Sequence, residues 1–302
     1  MLDFGDLESF VLEKIGETRI PALSMAVVEG NETTYVRGFG FRDISSGLPA
    51  TPRTLYGIGS VTKSFTALAI MQLVEQGKVS LNDPVEKYVP IKLRPFGETV
   101  SVSHLLAHSS GLPALAYAEA LIRGVLGIDH YWLPVHGPED IMAFMRDAEN
   151  WAVSKPGERF FYLNEGYVLL GYIISKISGI AYEEYIRKRI LEPLKMNRTF
   201  FSKSDVENDN DRATPYVIDK EGKHVSSHFT YGVTSDGGLI SNVVDLSNYL
   251  KMCIDRGGFE GAKIVSDELL EQMEKPKIKL PYQVFGDESY GYGWTITPNF
   301  QG

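Results

Sequence analysis

The stretch Gly57-Ile58-Gly59-Ser60-Val61-Thr62-Lys63-Ser64-Phe65-Thr66-Ala67-Leu68-Ala69-Ile70-Met71-Gln72-Leu73-Val74-Glu75-Gln76-Gly77 decides how this chain is read. From 60 to 76 the apolar residues Phe65, Leu68, Ile70, Met71, Leu73 and Val74 are too dense for a helix with one wet face, so the pattern predicts a central, buried helix. Gly77 closes it, because glycine accepts the positive φ of a C′ position. Ser60 then stands at the N-terminus, where free N–H groups and the helix dipole favour negative charge on its oxygen. Lys63 returns to the same face one turn later, beside the Ser60 hydroxyl. An ordinary lysine ammonium (pKa about 10.4) is a poor base at neutral pH, and burial lowers that value. Two readings fit these residues equally: a nucleophile with its base, or a helix-capping serine followed by an exposed lysine.

Outward from this helix, residues 6–16 read as an amphipathic helix with Leu7, Phe10, Val11 and Ile15 on one side. Segments 22–28 and 33–41 read as an antiparallel hairpin across Glu29-Gly30-Asn31-Glu32. Residues 79–164 alternate short helices with loops, and Pro138 with Glu139 and Asp140 marks one helix start. Helices are expected at 165–178 (stopped by Gly179), 182–190, 245–256 and 266–274, with a polar surface excursion at 202–228 and a strand at 290–297. Strands, a long mostly helical insert, then a strand again predict an α+β domain spanning 1–302. Its antiparallel sheet would come from both chain ends, about 1–58 and 275–302, with the helical part at about 59–274.

Composition excludes several classes. The chain has 302 residues, 43% hydrophobic, with a net charge of -9, so a basic surface for nucleic acid is not expected. Lys188 and Arg189 sit in a mixed-charge helix and read as a solvated face. The lone Cys253, in an apolar run, reads as a buried, inert thiol and excludes an internal disulfide. No HExxH or cysteine pair points to a metal; His104/His108 and His224/His228 have i, i+4 spacing, but His104 opens a helix and the second pair follows a glycine turn, so no metal and no cofactor is expected. No apolar run approaches a membrane span, and no basic-apolar leader opens the chain. A cytoplasmic product is the expectation; an exported one with its signal removed has the same appearance.

Tyr162-Leu163-Asn164 precedes the helix at 165. Two apart in extended backbone, Tyr162 and Asn164 point the same way. A phenol beside the Lys63 ammonium would ionise more readily and relay the serine proton, while the Asn164 amide would bind Lys63 and a substrate amide together. The alternative is a core tyrosine with Asn164 as a helix N-cap.

Taken together, Ser60-x-x-Lys63 and Tyr162-x-Asn164 resemble the serine β-lactamase-like and penicillin-binding-protein family: class C β-lactamases, D-Ala-D-Ala carboxypeptidases, D-aminopeptidases and family VIII esterases. Three further blocks resemble the family in the same order: His104-Leu105-Leu106-Ala107-His108-Ser109-Ser110-Gly111-Leu112, Ser235-Asp236-Gly237-Gly238-Leu239-Ile240-Ser241 and Tyr290-Gly291-Tyr292-Gly293-Trp294. The resemblance implies an acyl-serine hydrolase acting on a small peptide, ester or lactam. Ser60 would be acylated, Lys63 and Tyr162 would handle its proton, and Asn164 would bind lysine and substrate. It also implies a Lys/His-x-Gly strand after Trp294, which nothing up to Gly302 matches. The sheet is therefore expected to be incomplete, with an open edge at 291–297 and the Trp294 face uncovered, to be completed by a further C-terminal segment or a partner chain. The competing expectation is a non-catalytic acyl-peptide or penicillin-binding protein, or an inactive fragment of a longer enzyme. Specificity is expected from 117–135 and 202–232.

Overall fold

The computed structural model describes residues 4–125, 135–201, 203–227 and 234–297. Helix α1 (Gly5–Thr18) leads into the hairpin β1 (Ala22–Glu29) and β2 (Glu32–Asp43), antiparallel with Leu23 opposite Phe39 and Met25 opposite Arg37. A two-residue strand β3 (Leu48–Pro49) adds to β2, giving the order β1-β2-β3. Helix α1 buries Val11 alone of its residues and leaves Phe10 56% exposed, so the expected apolar side is narrower than its sequence suggested. Phe4, just ahead of the helix, stacks on Tyr35 of β2, while Glu8 accepts from the Tyr35 phenol and pairs with Arg37.

Strand β4 (Tyr56–Gly57) leads through a single 3-10 turn at Gly59–Val61 into α2 (Thr62–Glu75), in which every residue from Thr62 to Leu73 is buried. The expected central helix is there, begun by a tighter turn. Around it, α3 (Val102–Leu106), α4 (Tyr117–Val125), α5 (Pro138–Phe144), α6 (Asn164–Ser178) and α7 (Tyr182–Ile186) form the helical layer, α7 running on into a π-helical turn at Arg187–Leu191. Gly179 ends α6 in the left-handed region, as its sequence position implied.

The polar excursion carries α8 (Lys203–Val206) and a hairpin of β5 (Tyr216–Ile218) with β6 (His224–Ser226). Next, β7 (Ile240–Ser241) pairs with β4, and Ile58 N–H donates to the Leu239 carbonyl at 2.9 Å. This zipper lays 235–241 alongside the entry to α2. Helix α9 (Val243–Ile254) follows, capped by the Asn242 side chain, which accepts from Val244 N–H and Asp245 N–H. A small ribbon of β8 (Gly258–Phe259) and β9 (Ala262–Lys263) precedes α10 (Asp267–Glu274).

The chain then forms β10 (Ile278–Lys279), β11 (Ser289–Tyr290) and β12 (Thr295–Ile296), a second antiparallel sheet in that order. The α+β class holds, but among the described residues the two chain ends build two separate sheets. The single strand expected at 290–297 is instead a tight hairpin. Gly291 N–H donates to the Trp294 carbonyl, and Gly293 has φ +78°, which a side chain would strain. A Cβ on Gly293 would also press on the Lys63 carbonyl at 3.0 Å, so the turn lies against α2. Trp294 is not uncovered either: it stacks on Tyr249 of α9 at 6.1 Å and packs against the main core. Among the described residues, no helix is long and apolar enough to cross a membrane.

Candidate active site

Ser60 lies in the 3-10 turn, exposed, just after Gly59, whose φ of +51° turns the chain into it. Lys63 is wholly buried one turn further on, and its Nζ lies 3.1 Å from Ser60 Oγ. Two further acceptors receive the same ammonium: Asn164 Oδ1 at 2.7 Å and the Asp236 carbonyl at 2.6 Å. These three acceptors match the three donors of an ammonium. Burial pushes the Lys63 pKa down to about 8, against the carboxylates of Asp236, Glu165 and Glu119, which hold it up. An exposed lysine behind a capping serine is therefore not what the sequence encodes.

Tyr162 and Asn164 converge on the same lysine. Leu163 between them is extended (φ -125°, ψ 100°) and is itself the cap position of α6, so Asn164 opens the helix and its side chain is committed to Lys63. The Lys63 Nζ lies 4.8 Å from the Tyr162 ring centre and 5.6 Å from that of Tyr167. Burial pushes the Tyr162 phenol up to about 12, against a hydrogen bond to Ser60 that favours ionisation. That reverses the expectation of an easily ionised phenol: the neighbouring ammonium does not offset desolvation, and Tyr162 is a neutral phenol at physiological pH.

Behind Tyr162 stands His108, buried, with its ring 4.2 Å from the Tyr162 ring. His108 Nδ1 accepts the Leu163 N–H at 3.0 Å, which places the imidazole proton on Nε2. Burial, reinforced by the Lys63 charge, holds its pKa well below the usual histidine value. His104 is separate: it forms a reciprocal cap with Ser101, each backbone N–H meeting the other's side chain, at the start of α3. The i, i+4 pair thus splits into a helix cap and a support for the Tyr162–Asn164 segment. His224 meets the Arg19 carbonyl, and His228 lies outside the described residues. Cys253 is half-buried, with burial pushing its thiol up to about 12.

A beta-lactamase family model matches residues 7–302. The chain belongs to the beta-lactamase family. Penicillin-binding protein 4* of Bacillus subtilis (strain 168) is 27% identical over 301 residues, 95% of this chain and 62% of that protein. Protein flp of Staphylococcus aureus (strain MW2) is 30% identical over 250 residues, 81% of this chain and 48% of that protein. The chain thus spans about half the length of that relative. Among solved structures, the octameric penicillin-binding protein homologue from Pyrococcus abyssi is 58% identical and superposes with a TM-score of 0.95, covering all of this chain and 66% of that one. Membership of the beta-lactamase family places the chain in the acyl-serine hydrolase superfamily.

Three residues of this beta-lactamase-family site escaped a reading by motif. Asp236 was visible only as part of a Gly-Gly-Leu turn, yet its carbonyl receives Lys63. Glu165 adjoins Asn164, and burial pushes its carboxyl up to about 7. Tyr117 falls at the start of the segment assigned to specificity, but it is fully buried; its N–H donates to Glu165 Oε1 at 3.4 Å and its phenol to Asp236 Oδ2. An Asp in a turn and a Glu beside Asn164 were the only sequence signals available. Of the segments expected to set specificity, residues 126–134, 202 and 228–232 lie outside the described residues.

Proposed function

We propose that the chain hydrolyses small peptides or esters, or opens lactams, through an acyl-Ser60 intermediate, with Lys63 as general base, Tyr162 as proton donor to the leaving group and Asn164 as the residue that fixes Lys63 and meets a substrate carbonyl. The observation that carries this reading is the fully buried Lys63, with its pKa at about 8, 3.1 Å from an exposed serine hydroxyl. A neutral amine has two N–H donors and one lone pair. The two shorter bonds, to Asn164 Oδ1 and the Asp236 carbonyl, keep the donors, and the longer contact reverses so that Ser60 donates to Nζ.

As Ser60 Oγ bonds to the acyl carbon, its proton passes to Nζ. Collapse of the tetrahedral adduct breaks the bond to the leaving group, which takes the Tyr162 proton; the Lys63 ammonium restores it to the phenol. A phenol held near 12 gives up its proton only to a strongly basic departing group, as an amide nitrogen or alkoxide becomes. Water then attacks the acyl-serine and loses its proton to Lys63, and the Ser60 oxygen leaves, taking that proton back from the Lys63 ammonium.

The test is covalent capture. A fluorophosphonate or a fluorescent penicillin should add to the chain at one site, found on the peptide containing Ser60, and Ser60→Ala should carry no label. Label retained by the alanine variant, or absent from the wild type, would return the chain to the non-catalytic reading.

A further inference from the structure

Lys63 stands in an environment that should abolish its charge. Its side chain is wholly buried, and the rings of Tyr162, Tyr167 and, behind them, neutral His108 supply no full negative charge. Three carboxyl groups act on it, from three different segments: Asp236 in the turn before β7, Glu165 in the first turn of α6, and Glu119 in α4. They are not equivalent. Glu119 is exposed, so solvent screens it. Glu165 is held near 7 and is therefore only partly ionised at neutral pH. Asp236 is 2% exposed, its own carbonyl receives the ammonium, and of the three carboxyl groups it acts most strongly on Lys63.

We propose that Asp236 is the counter-charge that positions Lys63 and sets its basicity, and that Tyr117 in turn fixes the Asp236 carboxylate. This rests on the reading of Lys63 as the base. The Asp236 carbonyl locates Nζ on the Ser60 side of the pocket, while the carboxylate decides how readily Nζ keeps a proton. The turn that carries Asp236 is itself gripped by the nucleophile helix. Thr66 Oγ1 donates to the Ser235 carbonyl at 2.7 Å, and Leu239 N–H donates to Thr62 Oγ1 at 3.1 Å. Charge and base therefore move as one rigid unit. Tyr117 ties the arrangement together by giving its phenol proton to Asp236 and its backbone N–H to Glu165, bridging two of the three carboxyl groups. Without Asp236 the lysine would become so weak a base that it could not hold the serine proton; a base is most effective with its pKa near the operating pH.

The test separates charge from scaffold, since Asp236→Asn keeps the backbone carbonyl and removes only the charge. Protein labelled with ¹³C at lysine Cε is titrated by NMR, the Lys63 resonance being assigned by its absence in Lys63→Met. The rate of fluorophosphonate acylation is measured over the same pH range. In Asp236→Asn the Lys63 midpoint should fall by roughly one to three pH units, the usual effect of a nearby buried charge, and the rising limb of acylation should fall with it. Tyr117→Phe should move both in the same direction by a smaller step, because without its donor the buried Asp236 carboxyl takes up a proton more readily and its average charge falls. A merely structural role would lower the rates without moving the midpoint. An unchanged Lys63 midpoint in Asp236→Asn overturns the proposal; should that variant not fold, an unchanged midpoint in Tyr117→Phe does so. A midpoint that falls while the acylation limb stays in place would support Asp236 as the counter-charge and refute Lys63 as the base for Ser60.

Discussion

Replacing Lys63 by methionine should change the pH dependence of folding in a way that reads the burial of the ammonium directly. Lys63 falls from an ordinary 10.5 in the unfolded chain to about 8 in the folded one. Each pH unit of difference corresponds to about 1.4 kcal/mol, so the folded state carries a penalty of roughly 3 kcal/mol while the lysine is charged. The side chain is wholly buried, so solvent screening does not discount that figure. Because the folded pKa lies below the unfolded one, the unfolded chain binds more protons between pH 8 and 10.5, and stability rises with pH across that window. It is lost again as pH falls through 8. Urea unfolding of wild type and Lys63→Met at matched pH gives the difference curve, in which the titrations of the buried tyrosines cancel to first order. The difference in stability, wild type minus variant, should be flat below pH 7 and climb by roughly 3 kcal/mol by pH 10.5. A difference that stays level, or declines, across that range would refute a buried lysine of lowered pKa.

Tyr162→Phe removes the proton donor but leaves Lys63, so kcat for an ester or peptide should fall by ~10²–10⁴ with little change in KM; steady-state kinetics would show it, and wild-type kcat would return Tyr162 to a packing role. His108→Phe keeps the aromatic stack but deprives the Leu163 N–H of its acceptor, which should cost about 1–3 kcal/mol in chemical unfolding. Because the folded His108 pKa lies well below its unfolded value, wild-type stability should decline as pH drops below 6.5, and the phenylalanine variant should lack that part of the decline.

Much of the site was legible because its residues obey local periodicities. One helical turn puts Lys63 beside Ser60, and two steps of extended chain put Tyr162 and Asn164 on one side. Gly59 and the apolar residues of α2 announced the turn and the burial that follow. What local pattern could not convey was the balance between burial and charge. A tyrosine next to a lysine suggests easy ionisation, yet desolvation dominates at Tyr162 and leaves the phenol neutral. Asp236 and Tyr117 reach the site only through tertiary pairing, 173 and 119 residues from the partners they bind, with no spacing to betray them. The hairpin at 289–296 was hidden for the opposite reason. Its Tyr, Trp, Thr and Ile have strand composition, and nothing in that composition announces the turn that the positive φ of Gly293 makes. Phe10 looked like a core residue by spacing, but α1 buries only Val11 and leaves Phe10 exposed.

The claim at the centre of this account is that a buried, neutral Lys63 takes the Ser60 proton. Its most direct test is the pH dependence of the acylation rate constant, followed by fluorophosphonate inactivation with the adduct mapped to Ser60. With Lys63 at about 8, roughly a tenth of the protein holds the neutral amine at pH 7 and roughly nine-tenths at pH 9. The rate constant should therefore rise about tenfold between those two values and level off above pH 9, as a single ionisation with its midpoint near 8. A midpoint above 10, or a rate constant unchanged between pH 7 and 9, would contradict the assignment of Lys63 as the base.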